Sequence, residues 1–219
     1  MGFLSDECTL TVLNKSLLDN TNNFQCGHND LDEFFEKDCI NWSDQLLGKS
    51  YCFTLNSDPS EIICAFTVAN DSIKINLLPK SRKNKLNRKI PQAKRLGSYP
   101  SVLIGRLGVN KNYKRKGVGK DLMDVIKYWF IENSNKTGCR YIVVDAYNEE
   151  EPLGYYLNNG FEFLFDTEID EKKYSGLRID LTKRQIFYNK IRRFFHIKEI
   201  QSEKLITRLM YFDLIVLKI

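Results

Sequence analysis

The stretch "NYKRKGVGKDLM" at residues 112–123 places cations around two glycines, just where the sequence predicts that a helix begins. With Lys111 included, five Lys or Arg side chains surround Gly117 and Gly119. The first turn of a helix has unpaired backbone N–H groups and a partial positive charge, so a glycine turn ahead of it can hold a phosphate. The stretch therefore predicts a binding site for an anionic group.

Two better-known phosphate loops do not match this stretch. A nucleoside-triphosphate P-loop needs GxxxxGK followed by Ser or Thr, whereas Lys120 is followed by Asp121 and no glycine stands at the required distance. A dinucleotide fingerprint needs GxGxxG, and Met123 stands close to where a third small residue is required. The GxG pattern with flanking cations is a weak signal by itself, so its meaning depends on the elements around it.

The composition is that of a soluble globular protein: 219 residues, 42% hydrophobic and 28% charged. No apolar run approaches the roughly 18 residues that span a bilayer. The N-terminal sequence lacks the basic start and the apolar core of a signal peptide. We therefore expect a cytoplasmic protein with no membrane partner.

The positive charge is concentrated in one part of the chain. The net charge is only +5, but residues 72–120 contain 15 Lys or Arg and no Asp or Glu. The rest of the chain therefore holds 18 basic against 28 acidic residues. The sequence leaves two interpretations open for this basic block, a solvated loop or a surface that binds a polyanion.

Cysteine and histidine usage argues against a metal centre. The six cysteines are never closer than 12 positions apart, so neither a CxxC metal site nor a small disulfide scaffold is indicated. Only two histidines occur, which makes a histidine-rich metal site or a hydrolase triad improbable. We expect reduced cysteines and no metal.

Hydrophobic periodicity and turn residues predict an alternating order of strands and helices. Strands are predicted at 8–16, 49–56, 61–71, 99–110, 141–147, 161–165 and 205–218, and helices at 31–47, from 118 onward, at 149–160 and at 180–200. The basic segment after Leu78 is predicted to be a long loop with a short helix. We divide the chain into a core at 1–165 and a C-terminal extension at 166–219, in which a basic amphipathic helix and a terminal strand pack on the core.

This order resembles the GNAT superfamily of acetyl-CoA-dependent N-acetyltransferases. The features that carry the resemblance are a strand with "LGV", the turn "KRKGVG", an amphipathic helix, an apolar strand and a short helix with "YYLNNGF". It covers residues 8–165 and the last strand, leaving about 166–204 as an insertion. The resemblance implies an α/β (α+β) fold, with a central mixed twisted sheet flanked by helices and an inserted helical segment before the last strand.

The resemblance also implies where acetyl-CoA binds. The pyrophosphate would lie on the backbone amides of residues 115–120, and the pantetheine would pair with the strand edge like an added strand. The family has Gln or Arg at the first place of the turn, where this chain has the conservative replacement Lys114. The implied cofactor-binding residues are Leu107, Gly108, Val109, Lys114, Arg115, Lys116, Gly117, Val118, Gly119 and Lys120.

A tyrosine is the implied general acid for the departing thiolate. In the family it lies on the short helix ahead of a Gly-Phe pair, and here the pattern is matched by Tyr156, Gly160 and Phe161. Tyr155 is the spare candidate. The alternative is that Tyr156 only packs in the core.

The central strand departs from many GNAT enzymes at Arg106, where they carry a glutamate that acts as a general base through water. A lysine amine, with a pKa near 10.4, needs help to lose its proton, whereas an α-amine near 7.7 to 8.0 is already partly neutral at pH 7. An arginine at the acceptor mouth favours an α-amine attached to something anionic. The alternative is a strand residue in a salt bridge.

Two segments, "FQCGHNDLDEFF" and "LIGRLGV", resemble the GNAT toxins that acetylate the α-amine of aminoacyl-tRNA. This resemblance implies a tRNA acceptor and a neutralising antitoxin, and it gives Cys26 and Gly27 a role in shaping a turn. The insertion departs from those compact toxins and is equally suited to a homodimer surface. Two other functions stay open: a GNAT enzyme for a small amine or a protein N-terminus, and a non-catalytic RNA-binding protein with this fold.

Overall fold

Seven strands form the framework of the protein. In the computed structural model, which describes residues 2–88, 90–93, 96–135, 137–179, 181–197, 200 and 203–218, they have the sheet order β1-β2-β3-β4-β5-β7-β6. Antiparallel pairing joins β1 to β2, β2 to β3 and β6 to β7, whereas β4 and β5 are parallel. The strands are β1 (Cys8–Val12), β2 (Lys49–Leu55), β3 (Ile62–Lys74), β4 (Ser98–Val109), β5 (Tyr141–Tyr147), β6 (Glu162–Phe163) and β7 (Thr207–Asp213). The predicted α/β class with a mixed sheet is confirmed.

Helices occupy most of the connections between these strands. They are α1 (Phe3–Glu7), α2 (Lys15–Asp19), α3 (Asn29–Glu33), α4 (Cys39–Asp44), α5 (Lys80–Asn87), α6 (Val118–Ile131), α7 (Glu150–Asn158), α8 (Glu168–Tyr174) and α9 (Lys183–Phe194). A π-helical turn, Phe34–Asp38, joins α3 to α4, and single 3-10 turns lie at Ile75–Leu77, Lys111–Tyr113 and Leu214–Leu217. None of the described helices is long and apolar enough to cross a membrane.

Most predicted elements are present, with shorter bounds in several places. The strand predicted at 161–165 has ladder pairs only at Glu162 and Phe163, and the terminal strand ends at Asp213, where the chain enters a 3-10 turn. The helix predicted at 180–200 starts at Lys183, since Thr182 and Gln185 form a reciprocal capping box ahead of it. Asp180 and residues 198–199, at the ends of that prediction, lie outside the described residues.

The chain separates into two compact units. The first comprises Met1–Ile73, Tyr99–Val144 and Phe212–Ile219, and the second comprises Lys74–Ser98 and Asp145–Tyr211. The core and the extension predicted to divide at 165/166 stay a prediction. Each unit has its own buried residues.

The first unit is built on strand β5 and helix α6. Residues Tyr141–Val144 are buried on both faces of the sheet, as their unbroken apolar sequence predicts. On α6 the fully buried side chains are Leu122, Met123 and Ile126, which share one face of the helix. The position of α6 matters for the site because its first residue, Val118, ends the basic glycine turn.

A close contact between strand β4 and the segment before α3 needs a glycine. A Cβ added to Gly108 would lie 3.1 Å from Cys26 Cβ and 3.3 Å from Phe24 Cε1. The Asp32 carboxylate shapes the facing turn by accepting hydrogen bonds from the backbone N–H groups of Cys26 and Gly27, at 2.6 and 3.2 Å. The backbones therefore approach closely at Gly108, and Cys26 contributes packing there.

In the second unit, a buried carboxylate joins helix α8 to strand β7. Glu171 is 3% exposed and accepts a hydrogen bond of 2.7 Å from Arg208 Nε and another from the backbone N–H of Leu209. The Arg208 guanidinium also lies 4.7 Å from the centre of the Phe163 ring. Because a buried charge is stable only when it is paired, this contact fixes the start of the insertion on the sheet.

Replacing Gly108 with Ala is expected to lower the free energy of unfolding by about 1–3 kcal/mol, because the new methyl group overpacks against Cys26 and Phe24. Gly105→Ala is the matched control on the same strand, since a Cβ there meets no atom within 4 Å. Urea unfolding of both variants measures the difference, and equal stabilities would contradict the close contact.

Candidate active site

The basic turn ahead of α6 has an unusual backbone. Gly117 adopts φ +84°, in the left-handed region that glycine occupies without strain, and Arg115 adopts φ +59°. The helix begins at Val118, and the first bond that closes it runs from the Asp121 N–H to the Gly117 carbonyl at 3.1 Å. The turn thus places four cations next to the start of a 14-residue helix.

The charged side chains of this turn face solvent. Lys114, Arg115, Lys116 and Lys120 are at least partly exposed, and none of them forms an ion pair with another described residue. The Lys116 ammonium lies 5.4 Å from the centre of the Tyr113 ring, which holds it near the turn. Four accessible cations at a helix start make an electropositive surface suited to a phosphate.

The one acid in the first turn of α6 is engaged elsewhere. Asp121 Oδ2 accepts a hydrogen bond of 2.7 Å from the backbone N–H of Leu4 in α1, and Leu4 is fully buried. The stacked rings of Phe3 and Tyr113, 6.1 Å apart, hold the same N-terminal helix. No sequence pattern indicated α1. Its Leu4 N–H pairs with the Asp121 carboxylate, which would otherwise repel an anion bound at the turn.

Strand β4 continues past the last residue that pairs with β5, at the end that leads to the turn. The parallel register joins Ser101–Ile104 to Tyr141–Val144, whereas β4 runs on to Val109. Asn110 anchors the end of the strand, with its backbone N–H donating to the Ile63 carbonyl and its side chain to the Ile62 carbonyl, both at 2.9 Å. The predicted pantetheine-binding residues, Leu107, Gly108 and Val109, lie in this overhanging segment.

A cleft of about 340 Å³ opens beside the same strand. Its lining includes Phe34 and Asp38 at the two ends of the π-helical turn, Trp42 on α4, and Gly105 and Arg106 on β4. The extra residue of a π-helical turn redirects side chains, and such turns are frequent at functional sites. The apolar spacing predicts that Phe34 and Trp42 share a core-facing helical stripe, yet Trp42 is 44% exposed.

Arg106 lies at this cleft with loose contacts. Its guanidinium is 5.2 Å from the centre of the Phe34 ring, and Nη1 donates a 2.9 Å hydrogen bond to the adjacent Gly105 carbonyl. Nε is 3.8 Å from Asp30 Oδ2, beyond hydrogen-bonding distance, and it is buried without a hydrogen-bond partner among the described residues. The Asp30 contact is within ion-pair distance, as the salt-bridge alternative expects, while the catalytic role of Arg106 stays a prediction.

Tyr156 belongs to the second unit, on helix α7. Its ring packs edge-on against Tyr155 and Phe161, with centroids 5.1 and 5.3 Å apart, and its carbonyl accepts the Phe161 N–H at 3.0 Å. Burial raises the pKa of the Tyr156 phenol above its ordinary value. A phenol is already protonated at neutral pH at its ordinary pKa near 10, so burial leaves Tyr156 protonated and makes it a weaker acid. The residue as a whole is partly exposed.

Part of the basic block is paired within the second unit. Arg82 and Lys85 on α5 form ion pairs with Asp166 and Glu162, respectively. Both acids come from a distant part of the sequence. The basic block at 72–120 therefore has acidic neighbours in the folded chain, although its own sequence contains none. Lys89, Lys94 and Arg95 of the same block lie outside the described residues.

The cysteines are free, and their thiols are held neutral. Five of the six are buried, and burial raises the pKa of Cys8, Cys26, Cys39 and Cys139 to about 11 and that of Cys52 to about 12. A thiol nucleophile needs the thiolate, so none of the five cysteines with a pKa of about 11 or 12 is poised for attack at neutral pH. Among the described residues, no three His, Cys, Asp or Glu side chains are grouped to hold a metal ion.

Comparison with known proteins identifies the fold. No protein-family model matches the chain. A tyrosine-to-phenylalanine mutant of KacT superposes with a TM-score of 0.59 at 16% identity, over 97% of this chain and 98% of that one. AtaT complexed with acetyl-methionyl-tRNAfMet gives 0.59 at 15% identity, over 97% and 98%. AtaTR bound with AcCoA gives 0.53 at 21% identity, over 74% and 90%.

These similarities, together with the sheet order, show that the chain shares the fold of KacT and AtaT, the GNAT fold. The fold predicted from the turn and its flanking elements is thereby confirmed. The particular structures that resemble it, KacT and AtaT, are those of the toxin group suggested by the two sequence segments.

The buried thiols predict how stability depends on pH. An unfolded thiol ionises near pH 8.5, whereas the folded thiols do so only near 11, so their contribution is complete below pH 8.5 and is lost as the pH rises toward 11. Because the thiol pKa is higher in the folded state, the thiols of the unfolded chain lose their protons at a lower pH. This ionisation stabilises the unfolded state relative to the folded one. We expect the free energy of unfolding to fall between pH 8 and 9.5, by up to about 1.4 kcal/mol per pH unit for each thiol. Urea unfolding measures this slope, Cys26→Ala should reduce it by one thiol's share, and a flat profile would contradict the neutral buried thiols.

Proposed function

We propose that the protein is an acetyl-CoA-dependent N-acetyltransferase that acts on a primary amine carried by an anionic acceptor. The observation that carries the proposal is the glycine turn with its accessible cations at the start of α6, which follows directly on the overhanging end of β4. A long donor with a pyrophosphate and an extended amide-containing arm requires both of these features. The fold shared with AtaTR bound with AcCoA supports the same donor.

The donor's pyrophosphate binds the turn through residues 115–120, and countercharge comes from Lys114, Arg115, Lys116 and Lys120. The pantetheine arm pairs with the backbone of Leu107–Val109 as an additional strand. Gly108 leaves this segment of the backbone close to Cys26 without a side chain between them. The strand and the turn together fix the direction in which the thioester is presented.

The acceptor amine enters from the cleft beside Arg106. The Arg106 side chain is 40% exposed, so its guanidinium can contact a phosphate or carbonyl oxygen of the acceptor, and it does not act as a base for a protonated lysine. An α-amine is already partly neutral at pH 7, so it needs little help. Aminoacyl-tRNA has such an amine next to a polyanion, and AtaT has been observed with acetyl-methionyl-tRNAfMet.

In the transfer step, the neutral amine nitrogen attacks the thioester carbonyl carbon, and the carbon–sulfur bond breaks from the tetrahedral intermediate. The amine loses one proton, and the departing thiolate gains one. Tyr156 supplies the proton to sulfur, since its phenol is protonated and donates no hydrogen bond to another described residue. Tyr155 is the alternative donor on the same helix.

A second candidate is a GNAT enzyme for a small amine or a protein N-terminus. The ion pairs of Arg82 and Lys85 favour it in part, because they neutralise cations that an RNA phosphate would otherwise contact. For the first candidate, a neutralising antitoxin is the partner to expect, as in the complexes that AtaT forms with AtaR.

Gly117→Glu should weaken acetyl-CoA binding by at least about a hundredfold, because it places a carboxylate beside the pyrophosphate and a side chain at φ +84°. Gly117→Asn is the matched control, because asparagine tolerates the left-handed conformation and adds no charge. Its binding constant should change by less than about fivefold. Isothermal titration with acetyl-CoA gives both values, and an unaltered affinity in the Glu variant removes the donor site from this turn.

Transfer of labelled acetyl from acetyl-CoA should occur on a pool of aminoacylated tRNA and be reduced at least about a hundredfold in Tyr156→Phe. Tyr155→Phe, on the same helix, should keep more than about a third of the wild-type rate. Polyamines, free amino acids and peptides are assayed in parallel. Label on a small amine or peptide alone supports the second candidate, and full activity of Tyr156→Phe assigns the proton transfer to another group.

A further inference from the structure

Helix α9 has one face that nothing in its own unit covers among the described residues. Phe187, Ile191, Phe194 and Phe195 are 60%, 40%, 78% and 63% exposed, although their spacing is that of an apolar stripe. Soluble proteins seldom leave several large apolar side chains together in water unless the surface binds something. The apolar spacing predicts that this stripe packs on the core, and in the second unit it faces outward.

The orientation of the helix is fixed from its opposite side. Asn189 is 2% exposed, and its side chain both donates to the Ile200 carbonyl at 2.8 Å and accepts from the Ile200 N–H at 2.7 Å. These two bonds attach the polar side of α9 to the chain that follows it. The aromatic side is consequently held away from the unit, so the exposure is specified by a paired buried amide.

Cations and aromatic rings alternate along the exposed face. Lys183, Phe187, Lys190 and Phe194 follow one another at spacings of four, three and four residues, which places them in one row on a helix. In the next row Arg184 lies 5.6 Å from the centre of the Tyr188 ring. The helix carries five Lys or Arg and no Asp or Glu, and neither Lys183 nor Lys190 forms an ion pair with a described residue.

We propose that this face of α9 binds single-stranded RNA, with unpaired bases stacked on Phe187 and Phe194 and phosphates contacted by Lys183 and Lys190. Single-stranded nucleic acid is bound by aromatic side chains alternating with cations, because each base has a stacking face and each linkage has a charge. The two rings are about 10 Å apart along the helix axis. This inference rests on the proposed function and deepens it by assigning a second contact to an RNA acceptor.

The alternation argues against other occupants. A dry protein groove would bury the row and force Lys183 and Lys190, which are interleaved with the rings, out of water without partners. A second copy of α9 would bring two sets of five cations together. A flexible polyanion with aromatic groups satisfies both the charges and the rings.

The test measures binding of a fluorescein-labelled single-stranded RNA of about 12 nucleotides, without acetyl-CoA, by fluorescence anisotropy at several salt concentrations. Phe187→Ala with Phe194→Ala should weaken binding about tenfold or more. Lys183→Gln with Lys190→Gln should lower the slope of log affinity against log salt by about 1.4, because two phosphates are no longer neutralised. Lys15→Gln with Ile206→Ala, two exposed residues elsewhere, is the matched control and should change neither quantity.

Because all four α9 side chains are exposed, the variants should keep the wild-type circular dichroism spectrum and thermal midpoint. Unchanged affinity and salt slope in both double variants overturns the proposal. So does binding of anionic phospholipid vesicles, of a poly-glutamate peptide or of a second protomer that depends on Phe187 and Phe194 while RNA binding does not. Acetyl-CoA affinity and transfer to a free amine are measured on the same variants, so a failed donor site is recognised separately.

Discussion

The left-handed backbone at Gly117 is the constraint on which the candidate site depends. It reverses the chain between the 3-10 turn after β4 and the first turn of α6, and glycine adopts φ +84° there without strain. The reversal brings a helix start, four accessible cations and the end of a strand into one local segment. An anion is stabilised there by amides and charges that are already in position.

Two packing contacts hold this segment in place within the first unit. Gly108 rests against Cys26 and Phe24, and Asp121 accepts the Leu4 N–H of the N-terminal helix. The first contact joins β4 to the turn that precedes α3, and the second satisfies the acid nearest the basic turn. The two sequence segments that resemble the GNAT toxins are therefore parts of a single packed region around β4.

The sequence was sufficient to predict the succession of strands and helices along the chain, the basic turn and the helix that follows it, because these depend on local glycine chemistry and on apolar periodicity. It did not predict the π-helical turn at Phe34–Asp38, since one extra residue in a helical turn leaves the apolar pattern almost unchanged. Trp42 continues the apolar face of the predicted helix in the sequence, and only the structure shows that it lines a cleft.

Charge in the sequence was also an incomplete guide to charge in space. Arg82 and Lys85 come from a run without acids, yet Asp166 and Glu162 neutralise them within the second unit. The apolar stripe of α9 was correctly placed on one side of a helix, but periodicity specifies only that the side chains share a face. The two hydrogen bonds of the buried Asn189 amide determine which face of α9 packs against the second unit.

The most direct test of the central claim is a map of backbone amide NMR shifts as acetyl-CoA is added to the isotopically labelled protein. We predict that the largest shifts occur at Gly117, Val118 and Gly119 in the turn and at Leu107–Val109 on β4, with the pyrophosphate-bearing part alone shifting the turn. Large shifts elsewhere, with both of these segments unchanged, would contradict the claim.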